Sequence, residues 1–335
     1  MEQKQILLKQ YRRPICGMQG YKYETKQLYW CSTEDLSAEC KRYEMEKSYR
    51  EELVGVFGCP IDENPTVVVA KAAFEDLKIN YRYLTVLVKP EDLGDAMKSL
   101  RALNMKGIHL TIPHKVDVLK YLDEVAADAR IMGAVNTVYV KDGRLYGENT
   151  DGKGFITSLK EEQIDLEGKT VMLLGAGGAA RAIAVELANA GVKKILVVNR
   201  PSSGRGSALT DLINEKTCAK AEFLCWDGTI AIPAGTDILV NTTNIGLHPN
   251  VDQKPDIDYN TIKKGMTVCD VIPNHPQTMF LKEAEKRGVK TIDGLGMLIN
   301  QAAISFYLWT GRRCNRRVMK EALASEYGIQ AAERG

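Results

Sequence analysis

From residue 53 onward, short apolar segments alternate with helical patterns of about ten residues. The segment LVGVFG at 53–58 predicts a strand that leads into Gly-Cys-Pro. The elements predicted after it are helices at 67–77 and 91–103, strands at 81–88 and 107–111, a helix from about residue 115, and strands at 135–140 and 144–148. Because strands alternate with helices, this part of the chain is predicted to form βα units around a mostly parallel sheet.

A second run of the same kind begins near residue 169. Its apolar strands are KTVMLLG (169–175), KKILVVN (193–199), TDILVNTT (236–243) and MTVCDVI (266–272), with a helix between the first two that ends near residue 189. A pair of helices follows from residue 294. Their apolar face requires a partner elsewhere in the fold, and it comprises Met297, Leu298, Ala302, Phe306 and Leu308.

The first 52 residues do not follow this alternation. The polar segment at 32–52 predicts a helix with Ser32 as its N-cap and Asp35 in the position of the capping-box carboxylate. Residues 1–52 are interpreted as an N-terminal extension, whose role as a separate domain, a lid, an oligomerisation arm or a solvated helix stays open. The opening residues contain no signal-peptide core, and no segment reaches the roughly 18 apolar residues that span a bilayer, so a cytoplasmic location is expected.

Length and composition narrow the class of protein. A chain of 335 residues is longer than one hydrophobic core usually serves, so two domains are expected. The 45 basic and 43 acidic residues nearly cancel, which removes charge as an argument for a nucleic-acid or membrane partner. The eight cysteines show no Cys-x-x-Cys spacing, so the sequence indicates neither a metal site nor a redox motif.

A glycine-rich loop directly follows the predicted strand at 169–175. The first glycine of such a loop permits a tight turn, the second lets a pyrophosphate approach the backbone, and the start of the next helix holds the phosphates. The loop is therefore the candidate site of a dinucleotide cofactor. Its residues fit the pattern G-x-G-x-x-G/A, and they are Gly175, Ala176, Gly177, Gly178, Ala179 and Ala180.

The strand after this loop indicates which dinucleotide is bound. It ends at Asn199 and Arg200, without the acidic residue that normally bonds the ribose 2′-hydroxyl of NAD. Arg200 and Arg205 can instead meet a 2′-phosphate, so NADP is the expected cofactor and NAD is the alternative. The competing interpretation of both arginines is an ordinary solvated surface.

Together, eight motifs resemble the shikimate dehydrogenase family over about residues 54–311. They stand in that family's order: GCPI (58–61), LTIPHK (110–115), GAVNTV (133–138), ENTDG (148–152), GAGGAAR (175–181), VNR (198–200), VNTTNIG (240–246) and GLGMLINQA (294–302). The resemblance implies an α/β protein with an N-terminal mixed-sheet catalytic domain, a Rossmann-type dinucleotide-binding domain, and C-terminal helices that return to the first domain. The parts are expected at 1–52, 53–155, 156–293 and 294–335, with a hinge near 152–168.

The resemblance also implies a reaction, the reversible transfer of hydride between NAD(P)H and a ring carbonyl, as between 3-dehydroshikimate and shikimate in aromatic amino acid biosynthesis. Lys115 matches the lysine of the family's T-x-P-x-K motif, and Asp151 matches the aspartate of N-T-D-G. A lysine beside a carboxylate can hold, orient and relay the proton that the carbonyl oxygen needs. By the same resemblance, the substrate would be bound by Asn64, Thr66, Thr111, Asn136 and Gln301, and the cofactor by Gly175, Ala176, Gly177, Gly178, Ala179, Asn199, Arg200, Arg205, Thr242, Gly294 and Met297.

Several residues of the substrate pocket depart from the family's pattern. Asn64 and Thr66 replace the two serines that grip a substrate carboxylate, and His109 replaces the asparagine that precedes the lysine motif. Further departures are Glu63, Ala70, Lys71, Pro273 and His275. One interpretation is that the two histidines are ordinary strand-end or loop residues. The other is that the reaction is retained while the substrate is altered, and the candidate substrates are shikimate, quinate, an amino- or deoxy-analogue, or another cyclic hydroxy acid.

Two alternatives remain open at this point. One is an NAD-dependent quinate or shikimate dehydrogenase, and the other is an NADP-binding regulatory protein without efficient turnover. Either is compatible with a monomer or a homodimer, and the sequence does not choose between them.

Overall fold

The computed structural model describes residues 28–30, 41–43, 49–62, 64–273 and 276–328, and the chain divides into two compact units, Met1–Glu51 and Glu52–Gly335. In the first unit, β1 (Leu28–Trp30) and β2 (Lys41–Tyr43) pair in an antiparallel ladder. The helix predicted at 32–52 is therefore wrong at β2, because pairing with β1 overrides a local helical pattern. Its expected cap, Ser32 and Asp35, lies outside the described residues.

The second unit contains two six-stranded sheets, and the first is mixed. β3, β4 and β5 are parallel, whereas β7 runs antiparallel to both β5 and β8, in the order β4-β3-β5-β7-β8-β6. The mixed sheet implied by the family resemblance is confirmed, and the parallel arrangement expected from the alternation holds for β3, β4 and β5 and for the pairing of β6 with β8. The strands are β3 (Glu52–Gly58), β4 (Tyr81–Leu87), β5 (Gly107–Leu110), β6 (Glu124–Val125), β7 (Thr137–Lys141) and β8 (Arg144–Glu148).

A two-residue turn joins β7 and β8 and fixes their antiparallel pairing. Asp142 and Gly143 both have positive φ, 50° and 74°, and they join β7 to β8 with Lys141 paired to Arg144. Asp-Gly is the sequence typical of such a hairpin turn, because both central residues must adopt a left-handed conformation. The helices around this sheet are α1 (Thr66–Asp76), α2 (Leu93–Ala102), α3 (His114–Asp117) and α4 (Ala127–Met132), with 3₁₀ turns at Pro90–Asp92 and Val118–Tyr121.

The second sheet is entirely parallel and has the strand order of a dinucleotide-binding domain. Its order is β11-β10-β9-β13-β15-β16, in which the sequence order reverses direction beside the first strand, β9. The strands are β9 (Thr170–Leu174), β10 (Lys194–Asn199), β11 (Lys220–Cys225), β13 (Ile238–Asn241), β15 (Thr267–Asp270) and β16 (Lys290–Ile292). Its helices are α5 (Asp151–Glu161), α6 (Gly178–Asn189), α7 (Arg205–Lys216) and α8 (Met279–Glu285), and β12 (Ile230–Ala231) pairs separately with β14 (Ile257–Asp258).

The two C-terminal helices return to the first sheet. α9 (Leu295–Thr310) and α10 (Arg316–Glu326) share one hydrophobic core with β3 and α1, in which Phe306 packs on Phe74. The apolar face predicted from residue 294 therefore finds its partner, since burial of that face is what holds an amphipathic helix in place. The boundaries proposed for the individual parts stay a prediction. Within the described ranges, no helix is both long and apolar enough to cross a membrane.

α9 also lies closely against α5, which begins at the predicted catalytic aspartate. A Cβ added at Gly154 of α5 would come within 2.7 Å of the main chain of α9, at Met297 O and Gln301 N. Glycine at this position therefore lets the two helix backbones approach each other. The close approach brings the side chains of α9 up to the start of α5, where the candidate site lies.

Candidate active site

Lys115 and Asp151 form the centre of the candidate site. Lys115 lies in the short helix α3 just after β5, and Asp151 is the first residue of α5, where free backbone N–H groups and the helix dipole favour a negative charge. Lys115 Nζ and Asp151 Oδ2 are 2.6 Å apart. The two side chains are 31% and 16% exposed, so the pair is sheltered but open to a small molecule.

The amide of Asn136 fixes the second oxygen of the aspartate. Asn136 Nδ2 donates to Asp151 Oδ1 over 2.8 Å, and Asn136 Oδ1 accepts from the backbone N–H of Thr150 over 2.7 Å. Asn136 is buried, and its backbone carbonyl accepts from Leu110 of β5. The carboxylate thus has one oxygen bonded to an amide and the other bonded to an ammonium group. That leaves it little freedom to turn.

A buried chain of hydroxyl groups connects this pair to α9. Thr137 Oγ1 and Ser305 Oγ are 2.8 Å apart, and Thr150 Oγ1 donates to Gln301 Oε1 over 3.3 Å. Of these, only Gln301 was predicted from the sequence as a site residue. Gln301 is buried, and its amide oxygen accepts the hydrogen bond from Thr150. Through these contacts α9 supports the start of α5.

The predicted substrate residues at the start of α1 bond to each other and to the sheet. The backbone N–H of Thr66 donates to Asn64 Oδ1 over 2.9 Å. The side chain of Thr66, which is buried, hydrogen-bonds the hydroxyl of Tyr83 on β4. That hydroxyl lies 2.8 Å from His109 Nδ1 on β5. Tyr83, which the sequence analysis did not single out, therefore links the Thr66 position to the centre of the sheet.

His109 is buried and uncharged beside the catalytic pair. Burial lowers the pKa of its imidazole to about 3, with the charge of Asp151 acting to raise it and that of Lys115 to lower it. The ring packs edge-on against Trp309 of α9, with 4.5 Å between ring centroids. Its Nε2 atom is buried and has no hydrogen-bond partner among the described residues.

The remaining predicted substrate residue, Thr111, follows β5. Its backbone N–H donates to Phe57 O over 3.1 Å, and its methyl group lies where a Cβ at Gly58 would stand. The half-buried Thr111 therefore stands next to the end of β3, four residues before Lys115. Of the other departures, Lys71 is exposed on α1, Ala70 is buried, and Glu63 and His275 lie outside the described residues.

The glycine-rich loop has the shape that a dinucleotide requires. Gly175 has a φ of 105°, and a Cβ there would lie 3.0 Å from Thr242 Oγ1. A Cβ added at Gly177 or Gly178 would meet no described atom within 4 Å, so the backbone at the start of α6 is open to an approaching group. These positions fit a pyrophosphate held by backbone N–H groups. Ala176 and Ala179 lie in the same loop and first turn.

Thr242, Gly294 and Met297 lie around the carboxyl ends of the parallel strands. Thr242 Oγ1 donates to Leu174 O over 2.7 Å, which ties it to the end of β9. A Cβ at Gly294 would lie 2.5 Å from Ile272 O, so glycine lets α9 begin directly against the segment after β15. Met297 is half-buried and packs on the core of the second sheet.

The residues expected at a 2′-phosphate lie at the end of β10. Asn199 Nδ2 donates to Ser203 Oγ over 2.6 Å, which shapes the turn between Arg200 and Arg205. Both arginines are exposed, and neither forms an ion pair within the described parts of the chain. Two guanidinium groups free to engage an anion fit a 2′-phosphate, while β10 places no carboxylate at its end.

Three family models match the chain. They are the shikimate dehydrogenase substrate binding domain over residues 56–138, shikimate / quinate 5-dehydrogenase over 158–243, and the shikimate 5'-dehydrogenase C-terminal domain over 294–324. Among curated proteins, the shikimate dehydrogenase (NADP(+)) of Methanococcus maripaludis is 41% identical over 274 residues, covering 82% of this chain and 97% of that protein.

Solved structures give the same fold with two different reactions in their names. The ligand-free 5-ketofructose reductase of Gluconobacter sp. strain CHM43 is 46% identical, with a TM-score of 0.80 over 83% of this chain and all of that one. A shikimate dehydrogenase in complex with NADP+ is 39% identical, with a TM-score of 0.77 over 83% of this chain and 96% of that one. The names of the Methanococcus maripaludis protein and of the complex with NADP+ agree with the expected NADP cofactor.

Proposed function

Because this chain belongs to the shikimate dehydrogenase family, a family of NAD(P)-dependent oxidoreductases, we propose that it interconverts a ring hydroxyl and a ketone with NADP as cofactor. The proposed substrates are shikimate, quinate or a related cyclic hydroxy acid. The observation that carries the proposal is the 2.6 Å contact between Lys115 and Asp151 in a site open to a small molecule.

In the proposed mechanism Lys115 handles the proton. When a ketone is reduced, the ammonium group of Lys115 donates a proton to the carbonyl oxygen as that oxygen gains electrons, and in oxidation the neutral amine takes the proton back from the hydroxyl. Asp151 keeps the ammonium group oriented towards the substrate, and Asn136 keeps Asp151 from rotating. When bound, the dinucleotide supplies or accepts the hydride.

The proposed cofactor site consists of the loop 175–179 with residues around it. Gly177 and Gly178 would hold the pyrophosphate by their backbone, and Arg200 and Arg205 would pair with the 2′-phosphate. Asn199 would shape the turn that carries both arginines, whereas Thr242, Gly294 and Met297 would line the nicotinamide end. Asn64, Thr66, Thr111, Asn136 and Gln301 would border the substrate.

An absorbance assay for NADPH tests the proposal. Purified protein is combined with NADP or NAD and a panel of shikimate, quinate and related hydroxy compounds, beside the variants Lys115→Ala and Asp151→Asn. We expect turnover with NADP that both variants lose. If the protein binds NADP with normal affinity and turns over no member of the panel, a regulatory NADP-binding role replaces the proposal.

A ketose reductase is a second candidate, favoured by two observations. The structure with 46% identity is named a 5-ketofructose reductase, and its whole length is matched. In addition, Asn64 and Thr66 stand where the family places the serines for a substrate carboxylate. Adding 5-ketofructose to the same panel separates the two candidates. The oligomeric state and the cytoplasmic location stay predictions.

A further inference from the structure

The structure contains a chain of uncharged polar side chains that ends at an unused nitrogen atom. Thr66 hydrogen-bonds Tyr83, and Tyr83 hydrogen-bonds His109 Nδ1 over 2.8 Å. The other ring nitrogen, Nε2, is buried without a partner among the described residues, although His109 as a whole is only 5% exposed. A buried polar atom without a partner costs free energy, so such an atom in a folded protein calls for an explanation.

The position of this nitrogen indicates what would satisfy it. His109 and Thr137 are paired across β5 and β7, so their side chains lie on the same face of the sheet. Thr137 belongs to the hydroxyl network that supports Asp151. Because Nδ1 is bonded to Tyr83, Nε2 points away from Tyr83, and the charges of both Lys115 and Asp151 reach the imidazole. The unpartnered atom therefore belongs to a ring that shares a sheet face with Thr137 and lies within reach of the charges of the catalytic pair.

Among the described residues, the same end of the site has no buried positive charge that could compensate a substrate carboxylate. Thr66, Tyr83 and His109 are neutral groups, and burial holds the pKa of the Tyr83 hydroxyl well above its ordinary value. The Lys115 charge is already balanced by Asp151, and Lys71 is exposed on α1. Removing an ionised carboxylate from water into such surroundings is unfavourable, because no positive charge replaces the lost hydration.

We propose that His109 is a specificity-determining residue whose Nε2 hydrogen-bonds an uncharged hydroxyl group of the substrate, so that the site selects a neutral polyhydroxylated ketone over a carboxylate-bearing one. A hydroxyl group suits this position because it both donates and accepts. It can pair with either neutral tautomer of the imidazole, whichever way the Tyr83 hydroxyl donates. The inference rests on the proposed oxidoreductase function, and of its two candidate substrate classes it favours the neutral ketose over the cyclic hydroxy acid.

The test compares two ketones that differ in charge. 5-Ketofructose is the neutral probe and 3-dehydroshikimate is the carboxylate probe. For each, kcat and KM are measured with NADPH, and binding to the NADP-saturated protein is measured by calorimetry. We expect wild-type kcat/KM to be at least about tenfold higher for 5-ketofructose, the size of effect expected when one buried polar contact is matched or missed.

Two variants divide the roles of the two ring nitrogens. His109→Asn places an amide where Nδ1 lies, which keeps a partner for Tyr83 but falls short of the substrate. His109→Gln reaches the position of Nε2. We expect His109→Asn to lower kcat/KM for 5-ketofructose about 10- to 100-fold, chiefly through KM. His109→Gln should retain most of the activity, and NADPH affinity should stay unchanged in both.

Three results would overturn the inference. The first is a wild-type preference for 3-dehydroshikimate. The second is an equal loss of activity in both variants together with weaker NADPH binding, which would indicate a purely structural role for His109. The third is failure of 5-ketofructose to bind the NADP-saturated protein. The two proposals fail separately: binding of 5-ketofructose that His109→Asn weakens, without turnover of any ketone, would leave His109 as a selecting residue and remove the enzymatic proposal.

Discussion

The proton-transfer end and the selecting end of the site are built in opposite ways. At the proton-transfer end, Lys115 and Asp151 bring opposite charges into contact, and Asn136 holds the carboxylate. At the selecting end, Tyr83 and His109 are neutral and buried, and the chain of hydrogen bonds stops at an atom without a partner among the described residues. One end is complete within the protein, and the other is complete only when a ligand is present.

This difference explains how one chain can keep a reaction and change its substrate. Proton transfer to a carbonyl oxygen needs the same donor for every ketone, so the charged pair is independent of what else the substrate carries. Neutral hydrogen-bonding groups discriminate among substrates because an unmatched buried polar atom is costly. We therefore expect substitutions at the first end to lower activity on all substrates, and substitutions at the second end to change their ranking.

The largest expected effect is at Lys115. Replacing Lys115 by alanine removes the proton donor, so kcat should fall by about 10²- to 10⁴-fold for every substrate that the wild type turns over. Lys120→Ala is a matched control, since Lys120 is an exposed lysine on the following turn that pairs with Asp117. If Lys115→Ala loses activity on one ketone and keeps it on another, the proposed separation of proton transfer from substrate selection is contradicted.

A smaller loss of activity is expected from Asn136→Ala, which tests whether Asn136 holds the Lys115–Asp151 pair in place. Without the amide, Asp151 can rotate and the N–H of Thr150 loses its partner. We expect kcat to fall about tenfold and the free energy of unfolding to fall by about 1–3 kcal/mol, as measured by urea denaturation. Unfolding at lower urea with unchanged kcat would show that Asn136 supports the fold only.

Substitutions at the cofactor site should change cofactor affinity without changing proton transfer or the ranking of substrates. Arg205→Ala removes an exposed guanidinium that we propose to pair with the 2′-phosphate, so the Kd of NADP should rise about tenfold while that of NAD stays unchanged. Arg317→Ala, an exposed arginine on α10 paired with Glu321, serves as the control. Equal weakening of NADP and NAD would contradict a role in recognising the 2′-phosphate.

The smallest effect concerns stability rather than activity. Burial, and then the neighbouring Asp128, raises the pKa of Glu186 from 4.5 to about 7. A raised pKa in the folded state contributes stability that is complete below the unfolded pKa and is lost as pH rises through about 7. Wild-type protein should therefore lose about 1 kcal/mol relative to Glu186→Gln between about pH 5 and pH 8.

Urea midpoints at both pH values measure this difference, and taking it between the two proteins cancels the groups that do not interact with Glu186. Asp270, whose pKa burial raises to about 6, titrates in the same direction in both. A parallel pH dependence of wild type and Glu186→Gln would mean that Glu186 is not protonated in the folded protein at about pH 5. The ratio of the activities on 5-ketofructose and 3-dehydroshikimate should not change as Glu186 titrates.

Much of the fold could be predicted from the sequence because its signals are local. The strand 169–175 and the glycines after it identify β9, its turn and α6, since a strand, a glycine loop and a helix follow one another directly. The hairpin between β7 and β8 carried an equally local signal, Asp142-Gly143, which the alternation of strands and helices obscured. The pairing of β1 with β2 carried no such signal, because each strand has only three residues and the intervening polar segment has a helical pattern.

The candidate site was predictable only where a motif carried it. Lys115 and Asp151 were identified by motifs, and no pattern of hydrophobicity distinguishes them from other surface lysines and aspartates. Ser305 left a usable signal, a polar residue one turn after Gln301 on a mostly apolar helix. Tyr83 left none: an aromatic residue in a strand is ordinary, and its role depends on His109, which approaches it only when β4 and β5 flank β3.

The ratio of kcat/KM for 5-ketofructose to that for 3-dehydroshikimate tests the separation of the two ends most directly. It is measured with NADPH in wild type, Asp151→Asn and His109→Asn. The account predicts that Asp151→Asn lowers both values and leaves the ratio within about twofold of wild type, whereas His109→Asn lowers the ratio by about tenfold or more. A shift of the ratio in Asp151→Asn as large as that in His109→Asn would contradict it.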